Sequence, residues 1–351
     1  MARARWTAAS LLLSLIAASP GLRAQGTPSL RQADRVRLAE AYALARRVAD
    51  RVWLGWAGTP FPVLLVTDSV EFLLGSPGQD RGFARSGFDS VLGQEVWTRP
   101  RQLPPTLLAT FPAVAGKPTV VIGTPERTGK ASTAWVITLL HEHFHQWQTS
   151  RPDYYRGVVA LGLARGDTTG QWMLNYAFPY DSAPVQASAR RLATALRKAL
   201  DAPAASRRDA LAAVVAARDE LRSRLSPADY RYLEFQFWQE GVARYVEYAA
   251  LEAAAAEGQG GAAFRSLPDY EPYAAALERR RQGLLQELDT LALGRDRRVA
   301  LYPLGAAIAL LLDQSRPGWK REYAERPFAL TALAAPRSPT AAAPRSARPG
   351  P

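Results

Sequence analysis

The 351-residue chain has no cysteine, two methionines, three histidines and few lysines (Lys117, Lys130, Lys198 and Lys320) among its 44 basic residues. Without cysteine there are no disulfides, no thiolate metal ligands and no lipid attached at a cysteine, so any metal must be held by nitrogen and oxygen. No run of some 20 uninterrupted apolar residues occurs, which excludes an ordinary membrane-spanning helix. The apolar stretch from Ala8 to Ala18 follows two arginines and ends on small residues near Ala24. It has the layout of a secretory signal peptide over residues 1–24, so the mature protein is expected to be soluble and exported, either secreted or periplasmic.

Acids are fewer than bases, and the formal charge is +12. Half of that excess lies outside the expected folded body, on Arg3, Arg5 and Arg23 near the start and on Arg337, Arg345 and Arg348 near the end. Basic runs such as Glu278 to Gln282 fall inside helical patterns with acids nearby. Such runs describe a solvated helix face, and no nucleic-acid partner is expected. From Thr331 the sequence turns to proline and alanine with little to bury, so residues 331–351 are expected to be a disordered tail.

The body, residues 25–330, changes texture once. An amphipathic helix is predicted after Ser29 as N-cap, with Val36, Leu38, Ala41, Ala45, Val48 and Val52 at three- and four-residue steps. Short β-branched runs follow at "FPVLLVTD" and at Thr119 to Ile122, with "QEVWTRP" as a possible third strand in a Gly- and Pro-rich stretch. After Gly129 the pattern is helical almost throughout, interrupted by a loop at Arg151 to Tyr180. One of these helices opens on Ser226 as cap and Pro227 in the first turn. The expected class is α+β, predominantly helical: a small mixed sheet and an active-site helix in residues 25–150, then a helical lobe in residues 151–330.

All three histidines fall within "ITLLHEHFHQWQ", where His141, Glu142 and His145 spell H-E-x-x-H. Positions four apart share a helix face, so both imidazoles can reach one ion while Glu142 stands beside it. Zinc accepts two imidazoles and a carboxylate and leaves a fourth position for water; Glu142 is then the expected general base. His143 lies roughly 200° around the helix from His141, so packing or a hydrogen bond is its expected role. The third ligand must be an acid, and Glu240 in the apolar and aromatic "FWQEGVARYVEY" is the candidate, because a lone buried carboxylate is costly unless paired or metal-bound. Gly241 would let that helix approach another backbone. An ion pair of Glu240 with Arg244 is the competing reading. Glu247, seven residues on, is a reserve ligand or an acid that holds a histidine. With every histidine spent in one motif, a tyrosine or arginine must stabilise the oxyanion; Tyr302, Tyr245 and Tyr248 are candidates, Tyr302 foremost.

His141-Glu142-x-x-His145 followed by Glu240-Gly241 resembles the gluzincin branch of zinc metallopeptidases, the superfamily of thermolysin and the M1-like aminopeptidases. Thr138, three residues before His141, is also common in such helices. "HEHFHQW" and "EGVARYVEY" are most similar to the glycyl-aminopeptidase-like group, over about Phe61 to Ala254. The resemblance implies zinc on His141, His145 and Glu240, Glu142 as general base, and substrate backbone lying along Thr119 to Ile122 as an edge strand. No Gly-x-Met-Glu-Asn exopeptidase signature and no appended PDZ-like segment are present. The expectation is an exported zinc peptidase that cleaves peptide or protein substrates through a metal-activated water. The alternative is an inactive relative with a structural zinc or a cell-envelope binding role.

Overall fold

The computed structural model describes residues 28–78 and 82–334. The expected signal peptide at residues 1–24 lies outside the described residues. The first helix, α1 (Gln32–Val52), starts after Arg31 and not at Ser29. Six strands follow: β1 (Val63–Val66), β2 (Val70–Leu74), β3 (Ala84–Asp89), β4 (Gln94–Pro100), β5 (Leu108–Val114) and β6 (Lys117–Gly123). They form one mixed sheet in the order β3-β4-β2-β1-β6-β5, in which only β1 and β6 run parallel.

The two apolar runs legible in the sequence, β1 and β6, are the middle of this sheet and are buried on both faces. Alternation along β1 sends Val63 and Leu65 into the main core, and Leu64 and Val66 into a smaller core with Leu73, Phe83 and Val121. A strand covered on both sides needs no polar alternation. Thr119 to Ile122 is therefore not an edge strand, contrary to the expectation. The edge beside it is β5, whose Pro112 lacks a backbone N–H and suits an edge position.

Against the sheet lies α2 (Ser132–Thr149), which carries the histidines and contacts β5, β6 and α1. It is buried along nearly its whole length. Its first turn is tied down from a distant loop: Asp269 accepts from the Ser132 amide at 2.9 Å and from its hydroxyl at 2.6 Å. Beyond a segment with short helices at Tyr154–Ala160 and Trp172–Asn175 come α3 (Ala183–Leu200), α4 (Arg207–Ser223) and α5 (Pro227–Gln236). Ser226 caps α5, its hydroxyl accepting from the Asp229 amide at 3.1 Å, with Pro227 in the first turn. A π-helical turn, Phe237–Gly241, joins α5 to α6 (Val242–Glu257); α7 (Tyr273–Asp289) and α8 (Leu301–Ser315) complete the lobe. The chain is thus α+β and predominantly helical.

One correction concerns the end of the body. Residues from Thr331 do not leave the fold at once: Leu330–Ala334 is a short helix with Leu330, Thr331 and Leu333 buried. The Thr331 amide donates to Glu234 Oε2 at 3.1 Å. Residues of the expected tail beyond Ala334 lie outside the described residues. Among the described residues, no helix is long and apolar enough to cross a membrane.

The expected close backbone approach occurs where α8 crosses the π turn. A Cβ on Gly241 would lie 2.5 Å from the Gly305 Cα, and one on Gly305 would lie 2.7 Å from the Gly241 Cα and 3.0 Å from the Phe237 carbonyl oxygen. The obstacles are backbone atoms, which cannot rotate away. Gly305→Ala is therefore expected to lower stability by about 1–3 kcal/mol through overpacking, read as an earlier urea midpoint; an unchanged midpoint would show that the crossing tolerates a methyl group.

Candidate metal centre

Helix α2 places His141 and His145 one turn apart, and their Nε2 atoms are 3.1 Å from each other. What each Nε2 can do depends on the proton at Nδ1. His141 Nδ1 lies 2.7 Å from Glu247 Oε1, a carboxylate that also pairs with Arg280 and can only accept; Nδ1 therefore donates. For His145 the partner is Gln148 Oε1 at 2.6 Å. The orientation of that amide is set by its other end: Nε2 of Gln148 faces the carbonyls of Trp238 at 3.1 Å and Gln239 at 2.9 Å, which accept only. His141 thus carries its proton on Nδ1; His145 Nδ1 lies closer to the Gln148 acceptor, at 2.6 Å, than to the Gln239 Nε2 donor, at 3.0 Å, which favours the same tautomer, and in that neutral form both point a bare Nε2 lone pair at the same place. Two lone pairs at that separation repel unless a cation lies between them.

The third group arrives from the π turn. Such turns widen a helix by one residue and recur at functional sites. Glu240 Oε2 is 3.7 Å from His141 Nε2 and 3.6 Å from His145 Nε2. Burial alone would raise its pKa, but in their protonated forms the His145 and His141 rings outweigh burial and hold the Glu240 carboxyl well below the usual carboxylate range, the same place a metal cation would fill beside neutral rings. Arg244 takes no part, because its guanidinium is paired with Glu287 at 2.8 and 3.0 Å. These separations match what one ion requires: ligand atoms each about 2.0–2.1 Å from a common tetrahedral centre are about 3.3 Å apart. His141, His145 and Glu240 can hold a metal ion.

Glu142, the next residue on α2, is buried and accepts a hydrogen bond from the Thr110 hydroxyl at 2.9 Å. Thr110 belongs to β5, so the sheet edge and Glu142 are in direct contact; the same hydroxyl lies 2.8 Å from the Glu142 carbonyl oxygen. His143 turns away, as its helix position implies. It stacks on Phe61 with ring centroids 3.9 Å apart, and its Nδ1 lies 2.8 Å from Gln146 Oε1. Burial pushes its imidazole down to about 4, against a smaller opposing effect of the Gln146 hydrogen bond, so it is neutral at pH 7.

Of the three candidate tyrosines, Tyr302 is the one that lies against the centre. Burial and then the Glu240 carboxylate hold its phenol well above the usual tyrosine range, so it keeps its proton beside Glu240 and in the field of Glu142. The Arg298 guanidinium donates to its hydroxyl oxygen, and Arg298 Nη1 is 3.6 Å from Glu240 Oε1. Tyr245 is not brought to the centre: its hydroxyl donates to Asp313 at the far end of α8. Asp313 is 11 residues from Tyr302 along α8, about 16 Å at 1.5 Å per residue. Tyr248 is buried beside Arg244, away from the ligands.

The residues that sequence reasoning missed are Thr110, Gln148, Gln239 and Arg298. Gln239 Nε2 is 3.1 Å from Gln148 Oε1, and Tyr154 donates to Gln239 Oε1 at 3.0 Å. A signal for Gln148 was present, since His143 and His145 are each followed three residues later by glutamine and each makes that contact.

Holding Nδ1 should matter to the ion as much as direct ligation does to its geometry. Glu247→Ala is expected to weaken divalent-metal binding about 10- to 100-fold, measured by competition with a chelating dye; unaltered affinity would show that the tautomer of His141 does not depend on Glu247. No family model, no curated protein and no solved structure matches the chain.

Proposed function

We propose that the chain is a zinc-dependent peptidase of the gluzincin type. The observation that carries this reading is the pairing of a three-ligand nitrogen and oxygen set with an acid beside it that ligates nothing. Two imidazoles and one carboxylate, with no sulfur, suit zinc and leave a coordination position open. Zinc, when bound there, supplies a Lewis acid that polarises a peptide carbonyl and makes a water molecule more acidic.

The remaining chemistry belongs to the chain. Glu142 is the base that takes a proton from the attacking water and passes it to the leaving amine. The Thr110 hydroxyl holds Glu142 Oε2, which fixes the carboxylate plane and leaves Oε1 to do the proton transfer. Tyr302, protonated and buried next to Glu240, offers a phenolic hydrogen to the negative charge that develops on the carbonyl oxygen. The outer edge of β5 gives an extended peptide a ladder to pair with, directly over Glu142. A site serving only to hold zinc for structure would need no such base.

The test is metal analysis and turnover on a mixed peptide library for the purified protein and two variants. Glu142→Gln is expected to keep zinc and lose about 10²- to 10⁴-fold in turnover, whereas Glu240→Ala loses most of the zinc. Equal metal content and equal activity in all three proteins would contradict the assignment, and zinc without turnover in the unaltered protein would favour a non-catalytic role.

A further inference from the structure

The acids at the centre are all committed. Glu240 faces the two imidazoles, Glu142 accepts from Thr110, and Glu247 is shared between His141 and Arg280. None is spare to receive the ammonium group of a substrate. The cations are in a different position. Arg280 and Arg244 are neutralised by Glu247 and Glu287. Arg298 is held more loosely: its Nη1 donates to the Tyr302 hydroxyl and lies 3.6 Å from Glu240 Oε1, and its guanidinium sits over the Tyr302 ring. Among the described residues, its Nε and Nη2 have no hydrogen-bond partner, and the side chain keeps 24% of its surface exposed. Nε and Nη2 form the edge of a guanidinium that grips a carboxylate with two parallel hydrogen bonds.

The backbone supports a dedicated placement. Arg297, immediately before Arg298, has φ +52° and ψ −130°, a conformation that an L residue adopts only at a cost. Its own side chain is tied to Asp181 at 2.6 Å and lies over the Tyr180 ring, so the strained turn is clamped from outside. The effect of this turn is to bring Arg298 to the third ligand from the side opposite the imidazoles. Among the described residues the carboxylate paired with Arg298 is Glu240, so a metal ion held by Glu240 would leave the guanidinium without an anionic partner of its own.

We propose that the open edge of Arg298 is a carboxylate-binding subsite, so that the preferred substrates are peptides carrying a carboxylate close to the scissile bond. This rests on the peptidase reading above. Arg298 Nη1 lies 3.6 Å from the carboxylate of the third ligand, so a substrate carboxylate reaching it would be within about two residues of the ligands, at roughly 3.4 Å per residue of extended chain. The carboxylate is either the C-terminal group of a short leaving fragment or an acidic side chain.

Two matched peptide pairs separate these sources: free acid against C-terminal amide, and Glu against Gln within two residues of the cleaved bond. The zinc-loaded protein is expected to favour the carboxylate member of one pair at least about tenfold in kcat/KM, the order of a charge-assisted hydrogen bond. The Arg298→Met variant should bring that ratio close to one. Binding is measured separately on the Glu142→Gln protein by calorimetry, where the carboxylate peptide should bind about tenfold more tightly than its neutral match. Equal binding of both members in that protein, or a preference that survives Arg298→Met, overturns the subsite. Absence of cleavage by the unaltered protein overturns the peptidase reading instead, and the calorimetric comparison still decides the subsite.

Discussion

Two imidazole lone pairs aimed at each other across 3.1 Å in the interior are the constraint on which the rest of the centre depends. They point inward when both Nδ1 atoms donate, to Glu247 at 2.7 Å and to Gln148 at 2.6 Å, the latter contact being shorter than the 3.0 Å to the competing Gln239 amide. Each holder is fixed in turn. Arg280 neutralises Glu247, and two backbone carbonyls of the π turn dictate which way the Gln148 amide faces. The same turn that supplies the third ligand therefore also sets the tautomer of His145. Ligand, orienting group and backbone form one connected unit, and a buried polar unit of this kind is stable only when every member is satisfied.

The fold delivers Glu240 to that unit by a close crossing of two helices. Gly241 and Gly305 remove the two Cβ atoms that would keep α8 away from the π turn. That proximity brings Tyr302, near the start of α8, and Arg298, just before it, to the far side of the Glu240 carboxylate. Opposite them, the edge strand β5 supplies Thr110 to Glu142. Glu142 is thus held from the sheet and Glu240 from the helical lobe, so the candidate centre lies where the two halves of the α+β architecture meet.

Much of the centre was legible in the chain because its main signals are local. H-E-x-x-H needs only a helix, and an acid in an apolar aromatic run needs only the cost of burying charge, so His141, His145, Glu142 and Glu240 could be read from the chain, whereas Glu247 read equally as a reserve ligand or as the holder of a histidine, and its contact with His141 Nδ1 is the second. Features that depend on tertiary order could not. An apolar run such as Thr119 to Ile122 announces a strand but says nothing of its neighbours, and the edge proved to be β5, which reads poorly as a strand because of Pro112. Tyr245 stands five residues from Glu240, about 140° around an α-helix, and its hydroxyl is spent on Asp313. The end of the body was misplaced for a related reason: composition at Thr331 suggests a tail, while Leu330 and Leu333 pack into the core. Arg298 was hidden among many arginines, and only its unshared guanidinium edge beside Glu240 sets it apart.

Zinc K-edge X-ray absorption on the purified, zinc-loaded protein tests the central claim most directly. The geometry predicts a four-coordinate ion with two imidazole nitrogens and oxygen donors at about 2.0–2.1 Å and no sulfur. A spectrum with fewer than two imidazoles, or with a six-coordinate shell of oxygen alone, would contradict it.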